Sequence, residues 1–450
     1  WAGGFQRPAF LSPQDTLFTK MATVYYQNIK SIYGDYKFFG GDPFHEGGNS
    51  AGLDVALAAK TIQQQMQSAF SGSTWVLQAW GGNPSNALLN GVDKAHTLVI
   101  DLFGENQNNW EKTDAYNGTP WIWCSVNNFG DKPGMYGKLQ RIVEEPRRAF
   151  KTPQGKLMRG VGIIPEGVLN NPLLYNISLI SAWNTKSTDS LLRDYMLYRY
   201  GKNNAHLLKA LQLLKQTVYV SHVEYQEGST ESIFAARPAK EIKSVSSWGT
   251  RKLFYDNKQL EEALKSFAKV GQQLKGNEAF KYDISDIARQ VVANRGQMTY
   301  DSTMKYFNRK DLKAYQFYKN KFFKLMRLQE ELMASNKNFL LGRWLEKAKS
   351  FGETPYEKEL SEINARMQIT IWGPDEHDYA HKEWAGLIKD LYLPRWKKFF
   401  EQLDREITGI PARKIDFFAM DLVWVKQRNS YATLPKGNFL ELINKVIASK

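Results

Sequence analysis

The 450-residue chain is 42% hydrophobic and 24% charged, the balance of an ordinary globular protein with room for two or three domains. No apolar run is long enough to cross a membrane, and the opening WAGGFQRPAF lacks the basic-then-apolar order of a signal peptide. The net charge of +14 is lopsided, with 15 basic and 14 acidic residues in 1–183 against 45 and 32 in the remainder. A basic half can attract nucleic acid, anionic lipid or a sulfated glycan. No basic tract with interleaved aromatics and no nucleic-acid motif is present, so a solvated helical surface is the expectation and nucleic acid is not a predicted partner. The single cysteine, Cys124, excludes an internal disulfide, and the six histidines form neither an HExxH pair nor a zinc-ligand cluster.

In chain order, the first predicted strand is YKFFGGD, followed by the helical stretch AGLDVALAAKTIQQQMQSAF and the strand TWVLQAW. HTLVIDLF and PWIWCSV come next, then DKPGMYGKLQRIVEEPRRAF, helical in part, and the strand RGVGIIPE. Each strand is short, rich in β-branched or aromatic residues, and bounded by Gly, Pro, Asn or Asp. Strand, crossover, strand is the pattern of a parallel sheet with covering helices. Asp42 and Glu46 follow the first strand, Trp80 the second, Asp101 and Glu105 the third, Asn127 and Asn128 the fourth, and Glu166 the fifth. Polar residues at successive C-terminal strand ends suit a β/α barrel. Five strands do not close eight, so the expectation is a chain that starts mid-barrel, leaving a sheet edge unpaired. From about Trp183 the pattern turns helical. NKQLEEALKSFAKVGQQLKG sets Leu260, Leu264, Phe267, Val270 and Leu274 on one face, and AYQFYKNKFFKLMRLQEELMA and GNFLELINKVIASK read alike. An apolar stripe on the terminal helix serves a core or an interface equally, so oligomeric state is not legible.

The carboxylates carry the candidate chemistry. Glu46 lies in GGDPFHEGG, where glycines permit close substrate approach, and Glu166 lies in IIPEGV. Two carboxyl groups flanking a scissile bond are what glycoside hydrolysis needs. Asp42, Asp101 and Glu105 are rivals, and for Asp101 and Glu105 a helix cap or loop charge is the expectation. Trp75, Trp80, Trp121 and Trp123 offer flat apolar faces to a pyranose or to the core, with Trp80 favoured as pocket wall. In the helical part ITIWGPDEHDYAHKEWAGL breaks the pattern, as a loop with a task does.

The strings GDPFHEGG, WVLQAW, LVIDLFGEN, WIWCSVNNFG, GIIPEG, FLLGRWLEKA, ITIWGP, DYAHKEWAGL and LPRWKKF, in this order, resemble the α-N-acetylglucosaminidase family, a lysosomal enzyme of heparan sulfate breakdown and its bacterial relatives. The resemblance runs through almost the whole chain. It implies the C-terminal portion of a (β/α)8 TIM-type barrel over 1–183 and an all-α domain over 184–450 that packs by the active site. It also implies a retaining two-step exo-hydrolase for terminal α-linked GlcNAc, with no metal or organic cofactor. By motif, Glu46 is the general acid/base and Glu166 the nucleophile. His45, Trp80, Asn128, Trp372 and Tyr379 are the implied sugar contacts. The acid must be protonated at rest, so its pKa must be raised by burial or its partner's charge. Rivals are a barrel glycosidase of other sugar specificity, a glycan-binding protein without catalysis, and a basic nucleic-acid binder. A Lys- and Gln-rich chain with one cysteine suggests a bacterial periplasmic or secreted location, with the lysosome as the alternative.

Overall fold

The computed structural model describes residues 10–44, 50, 52–183, 185–221, 228–246, 249–372 and 377–449. Glu46 and His45 lie outside the described residues. Five parallel strands follow one another across one sheet: β1 (Phe38–Gly40), β2 (Thr74–Ala79), β3 (Thr97–Asp101), β4 (Trp121–Ser125) and β5 (Met158–Ile163). Every expected strand is present, and sequence neighbours are spatial neighbours, as in a barrel wall. Among the described residues β1 pairs only with β2, and β5 only with β4.

Alternation is clearest in β2 and β3. Trp75, Leu77 and Ala79 of β2 are buried while their neighbours are half-exposed, and Thr97, Val99 and Asp101 of β3 repeat the pattern. Trp121 and Trp123 on β4 are fully buried, and Trp110 stacks flat on Trp121 with ring centroids 5.4 Å apart. The crossover helix Val55–Ala69 is capped by Asp54, whose side chain accepts from the Leu57 N–H, and it buries Ala58, Ala59 and Met66. Helix Leu139–Phe150 crosses from β4 to β5, and helix Pro172–Ser181 leads from β5 into the helical part. One continuous apolar core runs from Trp75 and Val99 through Leu174 to Ile284 and Trp396.

The helical part is built around Glu278–Asn308, a 31-residue helix buried on most of its circumference. Leu312–Ala334 folds back along it. The expected stripe Leu260–Leu274 is buried throughout, but it is split between a helix ending at Ala268 and a short turn from Gly271 to Leu274. Among the described residues no helix is long and apolar enough to cross a membrane.

Candidate active site

Beyond the C-terminal ends of the strands, three loops meet. The first follows β4 and turns sharply, with positive φ at Asn127, Gly130 and Asp131. Asn128 closes this turn: its side-chain amide donates to the Lys132 carbonyl at 3.1 Å, and its oxygen accepts the Lys132 N–H at 3.0 Å. It is buried and engaged at both ends of its amide, so it shapes the loop.

The second loop follows β5 and presents Glu166. Its backbone N–H donates to the Asn128 carbonyl at 3.2 Å. Its carboxylate accepts the Gly130 N–H at 2.6 Å on Oε2. A side chain at Gly130 is excluded twice, by φ of +66° and because a Cβ would meet the Tyr379 carbonyl at 2.4 Å.

The third loop comes from the helical part, more than two hundred residues away. Tyr379 reaches across to Glu166, its hydroxyl 2.9 Å from Oε2 and 3.1 Å from Oε1. Trp372 stands edge-on to Tyr379, with centroids 5.0 Å apart, and is 47% exposed. Lys382, three residues on, is buried and donates to the Gly130 carbonyl at 2.9 Å and to the Asp131 carbonyl, with Asp131 Oδ2 at 3.3 Å. Burial pushes its pKa down, and the Asp131 charge opposes that. Beneath the loop, Arg395 binds Asp378 and Asp421, fixing the residue that precedes Tyr379.

Trp80 belongs to a small aromatic floor with Phe103 and Phe129, at centroid distances of 5.3 and 5.7 Å, and Tyr379 packs on the same cluster. Trp80, Gly81, Gly82, Asn83, Gln107 and Tyr116 line a cavity of about 500 Å³ beside it. Trp75, Trp121 and Trp123 are core.

The rival carboxylates have structural tasks. Asp42 Oδ1 accepts the Gln78 N–H at 2.6 Å, tying the end of β1 to β2. Asp101 and Glu105 correct the expectation of a helix cap or loop charge, since both are fully buried. Glu105 accepts the Asn127 N–H at 2.7 Å, and burial pushes its pKa up to about 7 against that bond and the Lys138 charge. Burial likewise pushes Asp101 up to about 6, opposed by Tyr116 and the Phe103 N–H. Gly130, Lys132 and Lys382 are site residues that sequence reading passed over. Lys382 was visible only as one letter of DYAHKEW. Among the described residues no group of three or more His, Cys, Asp or Glu could hold a metal ion.

A run of parallel β/α strands with a carboxylate beyond the fifth, closed over by a helical region, defines the class: a TIM-type barrel with a C-terminal helical domain. Residues 1–185 match the TIM-barrel domain of α-N-acetylglucosaminidase and residues 191–449 match its C-terminal domain. The chain belongs to the α-N-acetylglucosaminidase family. Human α-N-acetylglucosaminidase is 28% identical over 97% of this chain and 61% of its own length. A family 89 glycoside hydrolase from Clostridium perfringens, solved with 2-acetamido-1,2-dideoxynojirmycin, is 34% identical with a TM-score of 0.93, covering 100% of this chain and 53% of that one. The Clostridium enzyme with two glutamates replaced by glutamine, solved with its substrate GlcNAc-α-1,4-galactose, is 34% identical with a TM-score of 0.93 over 98% of this chain and 52% of that one. The chain therefore spans about three fifths of the human relative and about half of the bacterial one.

Proposed function

We propose that this protein is a retaining exo-glycoside hydrolase that releases terminal α-linked N-acetylglucosamine from glycans. The observation that carries the reading is the setting of Glu166. It stands beyond the fifth strand, in a family member, with its carboxylate gripped by a backbone N–H and a tyrosine hydroxyl from the other half of the chain. A relative that carries two Glu-to-Gln changes and is bound to its GlcNAc-terminated substrate supports two glutamates in the role.

In the first step an oxygen of Glu166 attacks the anomeric carbon, the bond from that carbon to the aglycone oxygen breaks, and Glu46 gives that oxygen its proton. In the second step water attacks the same carbon, the ester bond to Glu166 breaks, and Glu46 takes the water's proton. The Gly130 N–H and the Tyr379 hydroxyl hold the Glu166 carboxylate in place for attack. Trp80 and Trp372 serve as apolar walls for the sugar, His45 as a further contact, and Asn128 holds the turn that presents Gly130. Neither step requires a metal or organic cofactor. The composition supports a periplasmic or secreted bacterial location, with the lysosome as the alternative.

The test is aglycone release from an aryl α-N-acetylglucosaminide by the full-length gene product, with the β-anomer and the α-glucoside as controls. Release from the α-GlcNAc compound alone is expected, abolished in Glu166→Gln. Glu46→Gln should impair poor leaving groups far more than activated aryl ones, and equal losses on both would reverse the assignment of roles. No release from any of the three by folded protein would sink the activity.

A further inference from the structure

Tyr379, an implied sugar contact, also sets its hydroxyl on the carboxylate itself. Both oxygens of Glu166 are within its reach, at 2.9 and 3.1 Å. Oε2 also holds the Gly130 N–H, whereas among the described residues Oε1 has the longer tyrosine contact alone. The geometry leaves Oε1 to attack and keeps Oε2, doubly bonded to donors, as the carbonyl oxygen of the ester.

A second lysine lies below. Lys132 is fully buried, and its ammonium sits 5.2 Å from the centroid of the Tyr379 ring. Glu231 Oε1 lies 3.7 Å away and is itself held by the Val245 and Ser246 N–H groups. A cation on the face of a phenol draws density from its π-system and strengthens the hydroxyl as a donor. Other titratable groups face Tyr379 and Glu166, and the Lys382 charge acts on Glu166 directly. Lys382 is paired with Asp131, and His381 is kept neutral by burial, its Nδ1 2.9 Å from the Asp378 carbonyl.

We propose that Tyr379 is a catalytic residue that donates to Glu166 through both steps, with Lys132 as the positioning residue that polarises its ring. This rests on the assignment of Glu166 as nucleophile and deepens it. The phenol keeps its proton throughout. Its hydrogen bond favours the carboxylate that enters the first step, and it favours the same carboxylate as the group expelled when the C–O ester bond breaks in the second. Losing it should therefore slow release of the sugar more than its uptake.

The experiment is pre-steady-state aglycone release by full-length Tyr379→Phe with an activated aryl α-N-acetylglucosaminide. A fall in kcat of roughly tenfold or more is expected, from loss of one hydrogen bond to a charged group. KM should fall with it, a burst of aglycone should match the enzyme concentration, and intact mass should reveal one added N-acetylglucosaminyl group. The acid limb of kcat/KM should move up. Lys132→Met should move that limb the same way by less, and by nothing further in the Tyr379→Phe background, with Lys132→Arg retaining the wild-type position. A kcat loss without burst or limb shift would reduce Tyr379 to packing and overturn the proposal. If the wild type releases nothing, the assigned activity falls. The donor role is then read from the pH midpoint at which carbodiimide modifies Glu166, which rises in Tyr379→Phe if the hydroxyl holds the carboxylate and stays put if it does not.

Discussion

The sheet part and the helical part bury charge in different ways. Beside the sheet, Asp101 and Glu105 accept backbone N–H groups and feel the Arg141 and Lys138 charges, respectively, yet burial drives both toward the protonated form. In the helical part, Asp378 and Asp421 share Arg395, with contacts of 3.0 and 2.9 Å, and Asp421 also takes Arg237 at 2.9 Å. Asp378 is still pushed up to about 6 by burial, with the arginines resisting. The difference follows from backbone supply. Strand ends expose unpaired N–H groups that a carboxylate can accept, whereas inside a helix such as Phe417–Val425, which carries Asp421, the N–H groups are bonded within the helix and the carboxylate pairs with side chains. It also separates duties: the arginine lattice fixes the loop that carries Tyr379, and Glu105 braces the turn that carries Gly130.

Three changes would break or sharpen this contrast. The largest effect is expected from Arg395→Met, which strands Asp378 and Asp421 without their shared cation. A loss of about 3–5 kcal/mol should appear as a lowered urea midpoint. A loss under about 1 kcal/mol would show the lattice to be dispensable. Next is Glu105→Gln. The folded pKa near 7 lies above the unfolded value of about 4.3, so the folded state keeps a proton that the unfolded state releases. Stability from this group is full below the unfolded pKa and declines as pH rises toward 7. The variant should match wild type near pH 5 and exceed it by roughly 2 kcal/mol near pH 8. An equal difference at both pH values would mean that Glu105 is charged throughout. The smallest effect belongs to Thr354→Ala, which dismantles an exposed capping box with Glu357 at the start of helix Pro355–Gln368. About 1 kcal/mol is expected, independent of pH between 6 and 8.

Much of this was legible. Short β-branched runs with helical spacers marked five strands, because side-chain type and turn residues are local signals. The break at ITIWGPDEHDYAHKEW marked the loop that delivers Trp372 and Tyr379. Helix Glu278–Asn308 left no amphipathic stripe to read, because it is buried on most of its circumference and carries Asp283, Asp286, Arg289, Gln290 and Asn294 inside. Those residues look solvated until their partners are known. Asp101 and Glu105 were misread for the same reason: a carboxylate after a strand is most often exposed, and only packing placed these two out of water.

By itself, the sequence determined the order of strands and helices, the family, and Glu166 as a carboxylate at a strand end. These rest on periodicity, turn chemistry and motif, all carried within a few dozen residues. Only the tertiary structure decided that Glu166 is held by Gly130 and Tyr379, that Lys382 ties the two halves at the same turn, and that Lys132 lies under the tyrosine ring. The physical reason is separation along the chain. Tyr379 and Glu166 are brought within hydrogen-bond distance across 213 residues, and no local pattern encodes a contact formed by the packing of one domain on another.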